Sequence, residues 1–265
     1  MKVRKTNLED LKKIYNHPSA ILFRAIELKT IHEKCENLEF NHPSLDLGCG
    51  DEEIADLLFD DHFTYGVDNG EAKDVDRAVK NKIYQKVFLE SAEKMSFPNS
   101  SVDFVFSNCV IEHIPDNEAV LSEVSRILKP GGKFVFTVPS HNYPDYLYLT
   151  NKFTSWGLGF LSRSYKYRRN KMLNQFHCYS VSDWQGKLEK HNLKIEEHKY
   201  YVSKKALMLW DKMALEIFFK RIVWPNFEKE AFNKYKSLIK EVYEKDDVKN
   251  NQGAGLFIQC EKRKF

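Results

Sequence analysis

Apolar spacing divides the chain into elements. Between Leu8 and about Asn37, the residues Leu11, Ile14, Ile21, Leu22, Ala25, Ile26, Leu28 and Ile31 recur at helical intervals. Pro18 interrupts the run, so one or two helices precede the rest of the fold. Ser44 to Leu47 then reads as a short strand, 52–59 as the helix after it, and Thr64 to Asp68 as a second strand ending in a carboxylate. Val87 to Leu89 is a third strand. Ser101 to Ser107 is a fourth, entered through the turn residues Pro98, Asn99 and Ser100. Asn117 to Leu128 puts Val120, Leu121, Val124, Ile127 and Leu128 on one helical face, and Lys129-Pro130-Gly131-Gly132 stops it before the strand Lys133 to Val138. Strands alternating with helices predict an α/β fold whose mostly parallel sheet is covered on both faces. Ligands in such sheets sit beyond the carboxyl ends of the strands, so 48–51, 68–71, Ala92-Glu93 and 107–113 should converge on one crevice.

After Pro139 the texture changes. Tyr143, Tyr146, Tyr148, Phe153, Trp156, Phe160, Tyr165 and Tyr167 are interleaved with Arg163, Lys166, Arg168, Arg169 and Lys171, the pattern of an inserted aromatic and basic helical cap. Ser180 to Trp184 reads as a capped helix start, and Leu193 to Ile195 begins a strand. Lys204 to Trp224 is apolar over too much of its circumference for a helix with one wet face, so it is expected to lie sandwiched between layers. Lys229 to Tyr243 is another helix, and Gly255 to Cys260 a closing strand. The expected division is 1–40 as a helical extension, 41–140 as the binding core, 141–176 as the cap, and 177–265 completing the sheet with a helical insertion at 204–245.

The five cysteines include no C-x-x-C pair, which favours a reducing compartment and neither a disulfide framework nor a thiolate metal site; no metal is expected. No apolar run is long enough to span a bilayer, and the first residues lack a signal-peptide core, so a cytoplasmic protein is the expectation. The net charge of +3 hides an asymmetry: residues 1–140 carry 17 Lys and Arg against 24 Asp and Glu, whereas 141–265 carry 24 against 14. The basic half and its aromatics fit peripheral contact with an anionic membrane surface through 143–171, or a cap that merely faces water.

The segment Leu45-Asp46-Leu47-Gly48-Cys49-Gly50-Asp51 carries the strongest chemical signal. It reads as a strand turning sharply into a helix, with Gly48 and Gly50 leaving bare backbone for a ligand and Asp68, eighteen residues beyond Gly50, placed to accept both hydroxyls of a ribose. A dinucleotide loop of the G-x-G-x-x-G type would have a third glycine where Glu53 stands. Asp51, Glu52 and Glu53 would repel a pyrophosphate, so a cofactor with one carboxylate and a nearby cationic centre suits the turn better.

On these residues the chain resembles the class I S-adenosylmethionine-dependent methyltransferases, in particular the small-molecule group that includes quinone-biosynthesis enzymes. The D-L-G-C-G-x-G signature is matched by Asp46 to Glu52, with Glu52 in place of the third glycine. The D-A-x-x-L-P-F loop is matched by Ser91 to Phe97, with Ser91 in place of Asp, and the fourth-strand signature by Phe104 to Ile114 followed by Leu128 to Gly132. The resemblance implies a Rossmann-like seven-stranded sheet in the order 3-2-1-4-5-7-6, its last strand antiparallel. It implies S-adenosyl-L-methionine as cofactor, with Asp46 and Gly48 at the amino group, helped there by the backbone of Ser107 or Asn108, Gly50 in the turn, Asp68 at the ribose, and Ala92 and Glu93 at the adenine.

The transferred methyl group is then already activated, and catalysis is mainly alignment in a dry site. A base is needed only for a protonated nucleophile, and His113, just past the fourth strand, is the first candidate. His141 and Tyr143 follow the fifth strand and are expected to overlook the acceptor. The expected reaction is methylation of a small or lipid-like acceptor at oxygen. The alternatives are a tRNA or rRNA methyltransferase, disfavoured because no nucleic-acid module is recognisable, and an inert methyltransferase-like partner subunit. A homodimer is one further way to cover the apolar helix at 204–224.

Overall fold

A computed structural model describes residues 1–50, 53–70, 83–224 and 227–264. Asp51, Glu52 and Glu71 fall outside these, as does the start of the helix expected at 52. Ten helices and seven strands are labelled here in chain order. α1 (Leu8–Ile14) is capped by the Asn7 side chain, which accepts from the backbone N–H groups of Glu9 and Asp10. α2 (Pro18–Cys35) starts on the proline that separates it from α1. Then come β1 (Ser44–Leu47), α3 (Glu53–Leu58), β2 (Phe63–Asp68), β3 (Tyr84–Leu89), β4 (Val102–Asn108), α4 (Asn117–Ile127) and β5 (Leu128–Pro139). The cap is helical as expected: α5 (Tyr143–Tyr146), α6 (Tyr148–Ser155) and α7 (Gly159–Met172). α8 (Val181–Lys190) opens on a capping box between Ser180 and Asp183. β6 (Leu193–Tyr201), α9 (Lys204–Val223), α10 (Phe227–Lys245) and β7 (Gly255–Lys262) complete the chain.

The sheet has the order β3-β2-β1-β4-β5-β7-β6. The first five strands run parallel, and β7 is antiparallel to both β5 and β6. Strand residues alternate between two cores, as a pleated sheet requires. Phe104, Phe106, Val135 and Phe257 face one side, with α2, α9 and α10. Val105, Phe134, Phe136, Val138, Leu256 and Ile258 face the other, with Val120, Leu121, Val124 and Ile127 of α4 and Trp184 and Leu188 of α8.

Two local expectations are corrected. Lys129 to Gly132 is not a turn: Leu128 already pairs with Val102, so the strand begins directly at the end of α4 and the glycines lie within its irregular first half. α9 is sandwiched only over its first half. Ala206, Leu207, Met213 and Ile217 are buried, whereas Phe218, Phe219, Ile222, Val223 and Trp224 are exposed. No described helix is long and apolar enough to cross a membrane.

Candidate active site

The turn after β1 is held by backbone. The N–H groups of Gly48 and Cys49 donate to the Val67 carbonyl at 2.8 and 3.1 Å, drawing the turn over the end of β2. Gly48 has φ +79°, and a Cβ there would stand 2.3 Å from a methyl carbon of Val110. Asp68, closing β2, accepts from the N–H of Gly50 at 2.9 Å and of Gly70 at 2.7 Å, so its carboxylate joins the two loops. Asp46 is buried in β1 and accepts from the Tyr84 hydroxyl at 2.7 Å. Burial pushes its carboxyl up to about 7, against the hydrogen bond from Tyr84 and assisted by the nearby charge of Asp68.

Three cavities adjoin along the strand ends. One of about 130 Å³ is lined by Tyr15, Arg24, Asp46, Gly48, Gly50 and Asn108, among others. Gly48 is also in the wall of the second, about 200 Å³, with Asp68, Ala92, Glu93 and His113. The third, about 220 Å³, shares Arg24 with the first and His113 with the second. Its roof comes from α2 (Ala20, Phe23), Tyr143 of α5, Leu173 and Gln175 after α7, and Trp210 of α9; Cys109 and Glu112 form the strand-end side.

Beneath that roof lies a charged network invisible in the periodicity of α2. Glu27 is fully buried. Arg24 donates to its Oε2, while the Tyr201 hydroxyl at 2.7 Å and the Cys109 thiol at 3.0 Å donate to its Oε1. Burial raises the affinity of Glu27 for a proton, but Arg24 and these donors outweigh it and hold the carboxyl below its ordinary range. Burial and the Glu27 charge push the Cys109 thiol far up, so it is a neutral donor. Arg24 also donates to Asn108 Oδ1 at 3.0 Å, whose amide donates to Thr137 Oγ1 at 2.6 Å. Glu112 is buried as well, and burial pushes its carboxyl up to about 8.

The predicted residues divide accordingly. Asp46, Gly48, Gly50, Asp68, Ala92, Glu93 and Asn108 line the first two cavities. Ser107 does not: its hydroxyl donates to the Leu47 carbonyl at 3.0 Å and ties β4 to β1. His113 and Tyr143 line the third cavity; His141 is exposed, its ring 5.9 Å from that of Tyr200, and lies outside all three. Sequence reasoning missed Arg24, Glu27, Gln175 and Trp210. An Arg and a Glu three apart among Ala25, Ile26 and Leu28 was the available signal for the first two.

Residues 45–136 match the family described as methyltransferase domain. Over this stretch, about a third of its length, the chain is similar to methyltransferase domains. Among curated relatives, the sarcosine/dimethylglycine N-methyltransferase of Aphanothece halophytica is 31% identical over 148 residues, 50% of this chain and 52% of that protein. The ubiquinone biosynthesis O-methyltransferase of Vibrio atlanticus is 28% identical over 135 residues, 46% of this chain and 54% of its own length. Either match thus spans about half of the relative. A solved structure described as a putative sarcosine dimethylglycine methyltransferase from Galdieria sulphuraria superposes with TM-score 0.58 at 15% identity, covering 92% of this chain and 87% of that one. At that identity the likeness is one of fold. The matched stretch contributes Asp46, Gly48, Asp68, Glu112 and His113, while Phe23, Arg24, Glu27, Tyr143, Gln175 and Trp210 lie outside it. The residues of the first two cavities fit S-adenosylmethionine: a carboxyl group at the position expected for its ammonium, a glycine turn at the cavity wall with open space where a Cβ of Gly50 would stand, and an acid at the second strand's end.

Proposed function

We propose that this chain transfers a methyl group from S-adenosylmethionine to a small organic acceptor, at oxygen. When bound, the cofactor supplies a methyl group already activated by its sulfonium. Asp46 holds the cofactor's amino group, Gly48 and Gly50 admit it to the turn, Asp68 binds the ribose, and Ala92 and Glu93 line the adenine. The acceptor occupies the third cavity, with its nucleophile turned toward the wall it shares with the other two.

His113 carries this reading, because it lines both the second and the third cavity. Its Nδ1 lies 3.1 Å from the Asn174 carbonyl, which only accepts, so Nδ1 bears the hydrogen and Nε2 keeps its lone pair. That nitrogen is placed to take a proton from an acceptor hydroxyl as the methyl group is transferred, with Glu112 Oε1 3.8 Å behind it. A cavity of about 220 Å³ has room for a small acceptor.

Isothermal titration is expected to show binding of S-adenosylmethionine and none of NAD; the reverse preference overturns the cofactor. Methyl-labelled cofactor incubated with small-metabolite, lipid and RNA fractions should label the first or second. Exclusive labelling of RNA would falsify the small-acceptor reading.

A further inference from the structure

Buried polar atoms left without partners indicate what a ligand must supply, since each costs about 1–3 kcal/mol if nothing satisfies it. Most polar side chains of the third cavity are already committed. Arg24 is engaged by Glu27 and Asn108, Cys109 donates to Glu27, and His113 uses Nδ1 on the Asn174 carbonyl. Glu112, beside Cys109, and Gln175, whose side chain bonds Tyr143, are committed only in part. Glu112 is 1% exposed, and its Oε2 is buried without a hydrogen-bond partner among the described residues; so is Oε1 of Gln175. Gln175 Oε1 is an acceptor, and Glu112 Oε2 becomes one when its carboxyl ionises.

Charge narrows the choice further. Arg24 is already paired with Glu27, and among the described residues no Lys or Arg stands within ion-pair distance of Glu112, whose Oε1 lies 3.8 Å from Nε2 of His113. The thiols of Cys109 and Cys178 near it are kept neutral by burial, Cys178 pushed up to about 12. The roof presents Phe23, Tyr143 and Trp210, with ring centroids of Tyr143 and Trp210 6.0 Å apart and of Phe23 and Trp210 6.2 Å apart. Aromatic walls attract cations. Arg169, 5.2 Å from the Trp210 ring, is itself neutralised by Asp211 at 3.1 Å.

Resting on the small-acceptor reading of this cavity, we propose that the acceptor carries a protonated amine held by Glu112 Oε2 and Gln175 Oε1. A cation is the ligand charge that draws the proton off Glu112 and is held by the carboxylate left behind, an anion would keep that carboxyl protonated, and a neutral hydroxyl has a single hydrogen for two oxygens. An alkylammonium has three donors and the complementary charge. With a hydroxyl beside His113, the acceptor class is an amino alcohol or aminophenol.

The test titrates the full chain, saturated with S-adenosylhomocysteine, with 2-phenylethylamine, 2-phenylethanol and 3-phenylpropionate. These probes share an apolar body and differ in the end group. The amine is expected to bind at least tenfold more tightly than the alcohol, and the carboxylate not to bind. At pH 7 amine binding should release a proton, read as a difference in heat between phosphate and Tris buffers, because Glu112 in the free cavity holds its proton until about pH 8. Glu112→Gln should remove both the preference and the proton release while leaving affinity for S-adenosylhomocysteine within twofold. Equal or tighter binding of the alcohol overturns the proposal, as does an unchanged preference in Glu112→Gln. Failure of the methyltransferase reading shows separately, as no binding of S-adenosylhomocysteine in the first titration.

Discussion

The turn after β1 and the roof over the third cavity adjoin, yet different forces hold them. The turn is backbone geometry: Gly48 at φ +79°, N–H groups on the Val67 carbonyl, and one carboxylate, Asp68, joining two loops. The roof is side-chain charge and packing between distant elements, with Glu27 linked to Cys109 across 82 residues and to Tyr201 across 174. A turn of that kind tolerates few substitutions and serves one ligand. A roof of this kind can be rebuilt from other residues, which suits the half of the site that chooses the acceptor.

The sharpest way to break the comparison is Glu27→Ala. It strips Arg24, Cys109 and Tyr201 of their common partner and should cost about 3 kcal/mol of folding stability in urea denaturation. A loss below about 1 kcal/mol would mean that the network does not hold the roof. Gly48→Val should weaken S-adenosylmethionine at least about 100-fold, about 2.7 kcal/mol, since its Cβ would collide with Val110. Calorimetry showing near-normal affinity would place the cofactor elsewhere. Asp68→Ala removes the acceptor for Gly50 and Gly70, and affinity should fall about tenfold or more, about 1.4 kcal/mol.

The pH dependence is subtler, and its two signs are opposite. Asp46 titrates at about 7 in the folded free protein, above its ordinary 3.8, so the folded state binds the proton more tightly and stability falls as pH rises from about 4 to about 7. Affinity for the cationic cofactor should rise by roughly tenfold from pH 6 to pH 8 as Asp46 ionises. Asp46→Asn should flatten both trends; an unaltered profile would assign them to another group. The smallest effect is expected outside both regions. Phe219→Ser, on the exposed half of α9, should shift stability by no more than about 0.5 kcal/mol, whereas a larger loss would show that this half is covered in solution.

The sequence was most legible where the physics is local. Ser44 to Leu47 was read as β1 with its observed bounds, and Pro18 and Ser180 marked helix starts by chemistry that acts within a few residues. Gly48, Gly50 and Asp68 belonged together because strand, turn and strand are short. The first half of β5 was misread because glycines that signal a turn are also accepted in a strand whose partner, Val102, lies 26 residues away. That the Ser107 hydroxyl ties β4 to β1 was not legible, since spacing along a strand does not say which carbonyl a hydroxyl finds.

From the sequence alone came the alternation of strands and helices and the turn at Gly48 and Gly50, because hydrophobic period and glycine position act over neighbouring residues; the strand order and the cofactor residues came from the family resemblance that the turn carries. Only the tertiary structure decided that Arg24, from a helix before the matched stretch, and Trp210, from one long after it, line the third cavity, with Glu27 buried beside Arg24. It also left Glu112 buried with an unpartnered oxygen. Charge pairing and burial between segments more than 80 residues apart carry no period along the chain, and so are read only from the folded molecule.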